Sequence, residues 1–269
     1  MKILHIWDQA GVACILAKHQ RILGHDVTIL KRAGYDPFGI FEFYRESLLD
    51  IDGKSFIKNA IKQAAEFDVV HVHSLYKIIP DLRRKYRDKI LILHFHGSEA
   101  RKAPKDPIQE QAIELSDAVI GSTEDLAQYV GSEMTYIPNP VDTDHFKRPT
   151  ISLEPKGKAF TFKTTGADME WIIQYLRNNS IDSNIEIIDR QANPIPYSEM
   201  PQVLGRYSTY VDLKHVGGTL LRAPSKTAIE CLACGLQVLN HRLEIIEHFP
   251  EEHRPEKIAS QILDIYRKR

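Results

Sequence analysis

Two pairs of histidines stand at alternate positions in apolar runs. His71 and His73 close the run Asp68-Val-Val-His-Val-His73, and His94 and His96 close Leu91-Ile-Leu-His-Phe-His96. If these runs are strands, alternation puts both members of a pair on one sheet face. Imidazole titrates near neutrality, so such groups can move protons, orient a substrate or bind a metal. A metal would need both pairs to converge with a carboxylate, and no metal ion is expected. His96 lies nearest a strand end and is followed by Gly97-Ser98-Glu99-Ala100-Arg101. It is the first candidate for an acid, base or orienting group, with Ser98, Glu99 and Arg101 as candidate ligand-binding polar neighbours. The competing reading is a structural histidine in a turn.

A second candidate is Asp8-Gln-Ala-Gly11, between a first apolar run and a helical pattern. A glycine in a strand-to-helix turn admits a ligand to the backbone, and the helix N-terminus favours a phosphate or hydroxyl-rich group. Asp8 and Gly11 are candidates on that ground. The turn lacks both GxGxxG and Walker spacing. A third candidate is Pro224-Ser225-Lys226-Thr-Ala-Ile-Glu230. Ser225 reads as an N-cap, and Lys226 adds charge to a helix start suited to an anion. Glu230 falls on the same helix face as Lys226, so a simple ion pair is the competing reading. Cys231 and Cys234 have CxxC spacing without a second ligand pair and read as packing residues.

The elements that must position these groups alternate along the chain. Strands are expected near residues 2–7, 26–30, 68–73, 89–95, 118–121 and 134–137, with helices between them. After Pro138-Asn-Pro140 the chain turns rich in Pro, Asp, Lys and Thr. Strands then recur near 159–164, 184–188, 210–214 and 237–239, and helices near 169–177, 200–207, 225–234, 241–248 and 255–267. Such alternation implies βαβ units and parallel sheets. The expected domains are 1–142, a linker at 143–157, and 158–253, with a closing helix at 254–269 returning to the first domain. Ligands of such sheets sit beyond the strands' carboxyl ends, so a cleft between the two domains is the expected site.

A net charge of −1 gives no overall basic field, so no nucleic-acid partner is expected. Three cysteines are too few for a disulfide framework. No apolar run reaches the ~20 residues of a membrane span. The cytoplasm is the expected compartment, with peripheral contact at the inner membrane face left open.

In order along the chain, these segments resemble the retaining GT-B glycosyltransferases of family four. The resemblance rests on the opening strand with Gly24-His-Asp-Val27, the Asp68 to His73 strand, and His96-Gly-Ser-Glu-Ala-Arg101. It continues through the strand and helix at 118–130, Tyr136-Ile-Pro-Asn-Pro-Val-Asp142, and Glu230-Cys-Leu-Ala-Cys-Gly235. It implies two Rossmann-like domains and transfer of a sugar from a nucleotide-sugar co-substrate, with no other cofactor. The acceptor would be a lipid, a saccharide or a small molecule. The turn at Ala10 and Gly11 would face the sugar or acceptor, His96 would lie beside the transferred sugar, and Glu230 would hold the donor ribose. The helix starting near Ser225 would aim its amides at the diphosphate.

Three departures stand out. Arg222 replaces the usual Glu eight residues before Glu230. The usual Gly-Arg is replaced around Lys163-Thr-Thr-Gly166, and its partner Lys by Trp171. The second domain is short. The diphosphate clamp then either falls to Lys163, Lys226 or Arg222 or is missing, and Arg222 suits an acidic donor sugar such as a uronic acid. The alternatives are a binding or scaffold protein on a degenerate fold and another GT-B reaction, such as an epimerase or phosphorylase.

Overall fold

The computed structural model describes residues 1–101, 106–148, 157–163, 167–181, 184–216 and 218–269. Residues 149–156 of the expected linker, Thr164 to Gly166, and Gly217 lie outside the described residues. The chain divides into two compact units, Met1–Pro140 with Glu252–Arg269, and Val141–Glu251.

In the first unit, β-branched and aliphatic runs form six parallel strands: β1 (Lys2–Ile6), β2 (Asp26–Leu30), β3 (Val69–His73), β4 (Ile90–Phe95), β5 (Ala118–Gly121) and β6 (Thr135–Tyr136). Their order is β2-β1-β3-β4-β5-β6. All of β3 is buried, as expected where helices cover both faces of a parallel sheet. The connecting helices are α1 (Val12–Ile22), α2 (Ile40–Phe43), α3 (Gly53–Gln63), α4 (Ile79–Lys85), α5 (Pro107–Leu115) and α6 (Ala127–Val130). On one sheet face Leu4, Ile6, Val70, Val72, Leu91 and Leu93 pack with Phe56 and Ala60 of α3 and Leu82 of α4.

The second unit holds β7 (Ala159–Phe162), α7 (Met169–Asn178), β8 (Glu186–Ile188), α8 (Met200–Leu204), β9 (Thr209–Val211), the hairpin β10 (His215–Val216) and β11 (Thr219–Leu220), α9 (Lys226–Ala233), β12 (Gln237–Leu239) and β13 (Ile245–Ile246). Its five-stranded sheet runs β13-β12-β9-β7-β8, parallel except for the edge strand β13. Both sheets are Rossmann-like, the GT-B class of α/β fold.

The helix α10 (Pro255–Arg267) belongs to the first unit. It packs beside α1 and buries Ile258, Ile262, Leu263 and Tyr266. One expectation fails. The helix anticipated at 241–248 is instead a turn leading into β13. Asn240 Oδ1 accepts from the amides of Arg242 (2.8 Å) and Glu244 (3.0 Å), and Asn240 N donates to Glu244 O. That side-chain turn and the pairing of Val238 with Ile246 outcompete the helical spacing. The hairpin of β10 and β11 carried no sequence expectation.

Candidate active site

In the first sheet the strand order reverses between β1 and β3, the switch point where open α/β sheets leave a crevice beyond the carboxyl ends. Three non-glycine residues there have positive φ: Trp7 (74°), Ala10 (54°) and Ser74 (60°). Backbone strain of this kind collects at functional sites. Gly11, at φ 82°, starts α1. Asp8 is turned inward. Its Oδ2 accepts from Gly11 N (2.9 Å) and Lys31 Nζ (3.3 Å), and its Oδ1 from Ala13 N (2.8 Å). Its carboxylate therefore fastens the turn and the start of α1.

His96 follows β4 and is half-buried. Its Nε2 lies 3.0 Å from His73 Nδ1, and its Nδ1 lies 3.2 Å from Asn139 Oδ1. Its amide donates to Glu99 Oε1, which also accepts from Ser74 Oγ (2.9 Å). Gly97, at φ 147°, allows this turn, and a Cβ there would lie 2.8 Å from Arg101 Nη1. Arg101 forms a two-pronged bond to Asp125 (2.8 and 3.0 Å) and also bonds Thr123. Ser98 is exposed. Glu99 and Arg101 thus shape the turn that presents His96.

Behind His96 lies a buried ladder of imidazoles that sequence reasoning saw only in part. His5 joins the two anticipated pairs on one face, since His5 is level with His71 and His73 with His94. His5 Nδ1 is 2.9 Å from His73 Nε2, and His5 Nε2 is 2.8 Å from Gln20 Oε1. His71 Nδ1 is 2.6 Å from the Tyr266 hydroxyl, and His71 Nε2 is 3.2 Å from His94 Nδ1. Burial drives the pKa of His5 down from 6.5 to about 4, and those of His71, His73 and His94 well below the ordinary value. Burial also lowers His96, partly offset by Glu99, Asn139 and Asp8. The rungs are therefore neutral at pH 7.

Two histidine triplets, His5 with His71 and His73, and His73 with His94 and His96, bring ring nitrogens within 4.8 Å. Among the described residues every one of these nitrogens except His94 Nε2 has a hydrogen-bond partner. The His71–His73, His73–His96 and His94–His96 rings are stacked, so their in-plane lone pairs run side by side. Ligation would have to dismantle the ladder.

In the second unit Ser225 caps α9, accepting from Ala228 N (3.1 Å). It is anchored in turn by Asp212, which follows β9 and accepts from Ser225 N (2.8 Å) and Ser225 Oγ (2.6 Å). Asp212 was not singled out in sequence. Its only local signal was an acid ending an apolar run. Glu230 is buried and ion-paired to Lys226, whose side chain is only 10% exposed. Lys226 Nζ also lies 5.9 Å from the centre of the Phe146 ring. Arg190, likewise not singled out, adds a further cation felt by Glu230. Lys163 is exposed and bonded to Asp189 at 2.8 Å. Arg222 is exposed beside a cavity of about 520 Å³ lined by Gly218, Thr219, Leu220, Arg222, His241 and Arg242. These residues lie on segments that follow the carboxyl ends of β9 and β12, adjacent strands. None of the lining residues is acidic.

The sequence profile of Glycosyltransferase Family 4 matches residues 10–145, half of the chain. The chain belongs to glycosyltransferase family 4. Its fold resembles two solved α-glucosyltransferase complexes. One, with UDP and a 13-mer DNA containing an A:G mismatch, is 12% identical with a TM-score of 0.54 over 88% of this chain and 78% of that one. The other, with UDP-glucose and DNA containing an abasic site, is 12% identical with a TM-score of 0.53 over 98% and 90%. At such identity the likeness is one of fold. No curated protein sequence matches the chain. Within this family 4 chain, no helix among the described residues is long and apolar enough to cross a membrane.

Proposed function

We propose that the protein transfers a sugar from a nucleotide-sugar donor bound by its second unit, with retention and without a metal ion, and that the donor sugar is acidic. The observation that carries this reading is the carboxyl edge of the second sheet. There α9 offers the amides of Lys226 and Thr227, which have no partner among the described residues, to a diphosphate. Glu230, one turn in, suits the paired hydroxyls of a ribose. The cavity beside Arg222, His241 and Arg242 suits a carboxylate on the sugar. His96, on the first unit, is the proposed group beside the transferred sugar. The acceptor, a lipid, a saccharide or a small molecule, is assigned to the first unit, with Gly11 and Ser98 as its exposed or backbone contacts.

One observation favours the second reading, a binding protein on this fold. Lys226 and Lys163, both assigned to the diphosphate, are each held by a carboxylate. Calorimetric titration with nucleoside diphosphates, neutral nucleotide hexoses and nucleotide uronates separates the readings. The enzyme reading expects the uronate to bind tightest and to be consumed when acceptors are added. Glu230→Gln should weaken donor binding by roughly 1–3 kcal/mol, the worth of a hydrogen bond to a charged group. Arg222→Glu should remove the preference for the uronate. Binding of none of these ligands would end the donor-site assignment.

A further inference from the structure

Three rungs of the ladder, His5, His73 and His96, lie in series between two side-chain amides, Gln20 and Asn139. Four hydrogen bonds connect the five groups: Gln20–His5, His5–His73, His73–His96 and His96–Asn139. Each bond requires one hydrogen. A neutral imidazole carries one ring N–H, so three neutral rings supply three hydrogens. The fourth must come from an amide NH₂. In the neutral ladder one end amide accepts while the other donates, and all three rings carry their hydrogen on the same nitrogen. If both amides present oxygen, the ladder holds one additional proton.

The two ends are not equivalent. Gln20 is fully buried, and its amide nitrogen donates to the Tyr266 hydroxyl at 3.4 Å while its oxygen faces His5. Asn139 is half-buried; its oxygen lies 3.2 Å from His96 Nδ1, the orientation that accepts from a protonated ring, and a half-turn exchanges it for the amide nitrogen, the orientation of the neutral ladder. We propose that Gln20, acting through His5 and His73, fixes the tautomer of His96 with hydrogen on Nε2 and Nδ1 bare, and that Asn139 turns its amide as that nitrogen gains or loses a proton. His96 Nδ1 is then the basic nitrogen of the site. A proton arriving there converts the hydrogen bond with Asn139 from amide donor to amide acceptor, and nothing else in the ladder has to change.

The charged groups acting on the ladder agree with that placement. Glu99 and Asp8 favour a proton on His96, whereas at His5 Arg21 opposes one and outweighs the smaller pull of Asp8 toward one. The remaining neighbours, His71, His94 and Tyr266, are uncharged at neutral pH, and His253 Nδ1 bonds the backbone carbonyl of Asn139, not its side-chain amide. Gln20, His5 and His73 are thus positioning residues. Their bearing on turnover rests on the reading of His96 as a catalytic group; the tautomer itself does not.

The test is the imidazole ¹⁵N spectrum of the full chain at neutral pH. In the wild type His96 should show a pyrrole-type Nε2 and a pyridine-type Nδ1, in at least about tenfold excess over the other tautomer, because the alternative sacrifices a hydrogen bond at Gln20. Gln20→Met removes the oxygen that sets the direction, and the ratio should fall toward parity. Tyr266→Phe frees the Gln20 amide to turn and should move the ratio the same way; it decides the matter if Gln20→Met fails to fold. A hydrogen on Nδ1 in the wild type, or a His96 ratio unchanged in the folded variants, would overturn the proposal. A changed tautomer with unchanged turnover would uphold the relay and remove His96 from catalysis.

Discussion

Replacing Asp8 by Asn should destabilise the first unit by roughly 3 kcal/mol, far more than an ordinary helix cap. The two side chains have the same size, so packing is conserved. Asn keeps an oxygen for Ala13 N, but its NH₂ then faces Gly11 N and Lys31 Nζ, both donors. The ammonium of Lys31 is only 5% exposed and cannot recover water. Stranding one member of a buried pair costs about 3–5 kcal/mol. Asp36, 3.8 Å from Lys31 Nζ, and the Phe41 ring, 5.1 Å away, retain part of the compensation and place the loss at the lower end. Loss of a cap alone would cost about 1 kcal/mol. For a unit of this size the melting temperature should drop by roughly 10 °C.

The assay can isolate that unit. The chain has two tryptophans, Trp7 in the first unit and Trp171 in the second. In a Trp171→Phe background, Trp7 fluorescence reports unfolding of the first unit alone. The companion Asp8→Asn/Lys31→Met should recover part of the loss, because the unpaired ammonium is gone. A loss of 1 kcal/mol or less for Asp8→Asn, or no recovery in the double variant, would refute the argument that the carboxylate is needed as a charge.

Stability should fall with acidity between pH 6.5 and 4. His5 binds a proton in the unfolded chain below its ordinary 6.5 but in the fold only near 4, so acid favours unfolding, by roughly 3 kcal/mol from this residue across that window; urea midpoints against pH check it, and His5→Gln should flatten the slope. Burial pushes the Cys234 thiol up to about 12 and the Cys231 and Cys14 thiols well above the ordinary value. All three buried cysteines should therefore resist a thiol reagent until the chain is unfolded. Gly97→Ala should lower turnover more than stability, because the added methyl meets only the guanidinium end of Arg101 but strains the positive φ of Gly97, which sets the turn directly after His96.

What the sequence disclosed depended on how far apart the interacting residues lie. The cap at Ser225 and the pairing of Lys226 with Glu230 are local, and both were readable. So was α10, anticipated at 255–267, from its Pro start and apolar spacing. The anchoring of Ser225 by Asp212 spans 13 positions and left no pattern. The ladder was half legible: alternation set each histidine pair on one face, but the Tyr266–His71 contact joins residues 195 apart. At 241–248 the local pattern was misleading, because a pairing with β12 competes with it.

The return of α10 to the first unit has a consequence for how the protein comes into being. The last 18 residues complete a body whose first 140 leave the ribosome long before them, with all of the second unit in between. Until translation reaches Tyr266, the histidine ladder lacks one of its lids, and the nascent first unit exposes the α1 surface that Ile258, Ile262 and Leu263 will cover. The second unit is free to finish folding first, although it is made second. A premature stop near residue 250 would accordingly injure the opposite end of the sequence, leaving the later-made body whole and the earlier-made one for chaperones to hold.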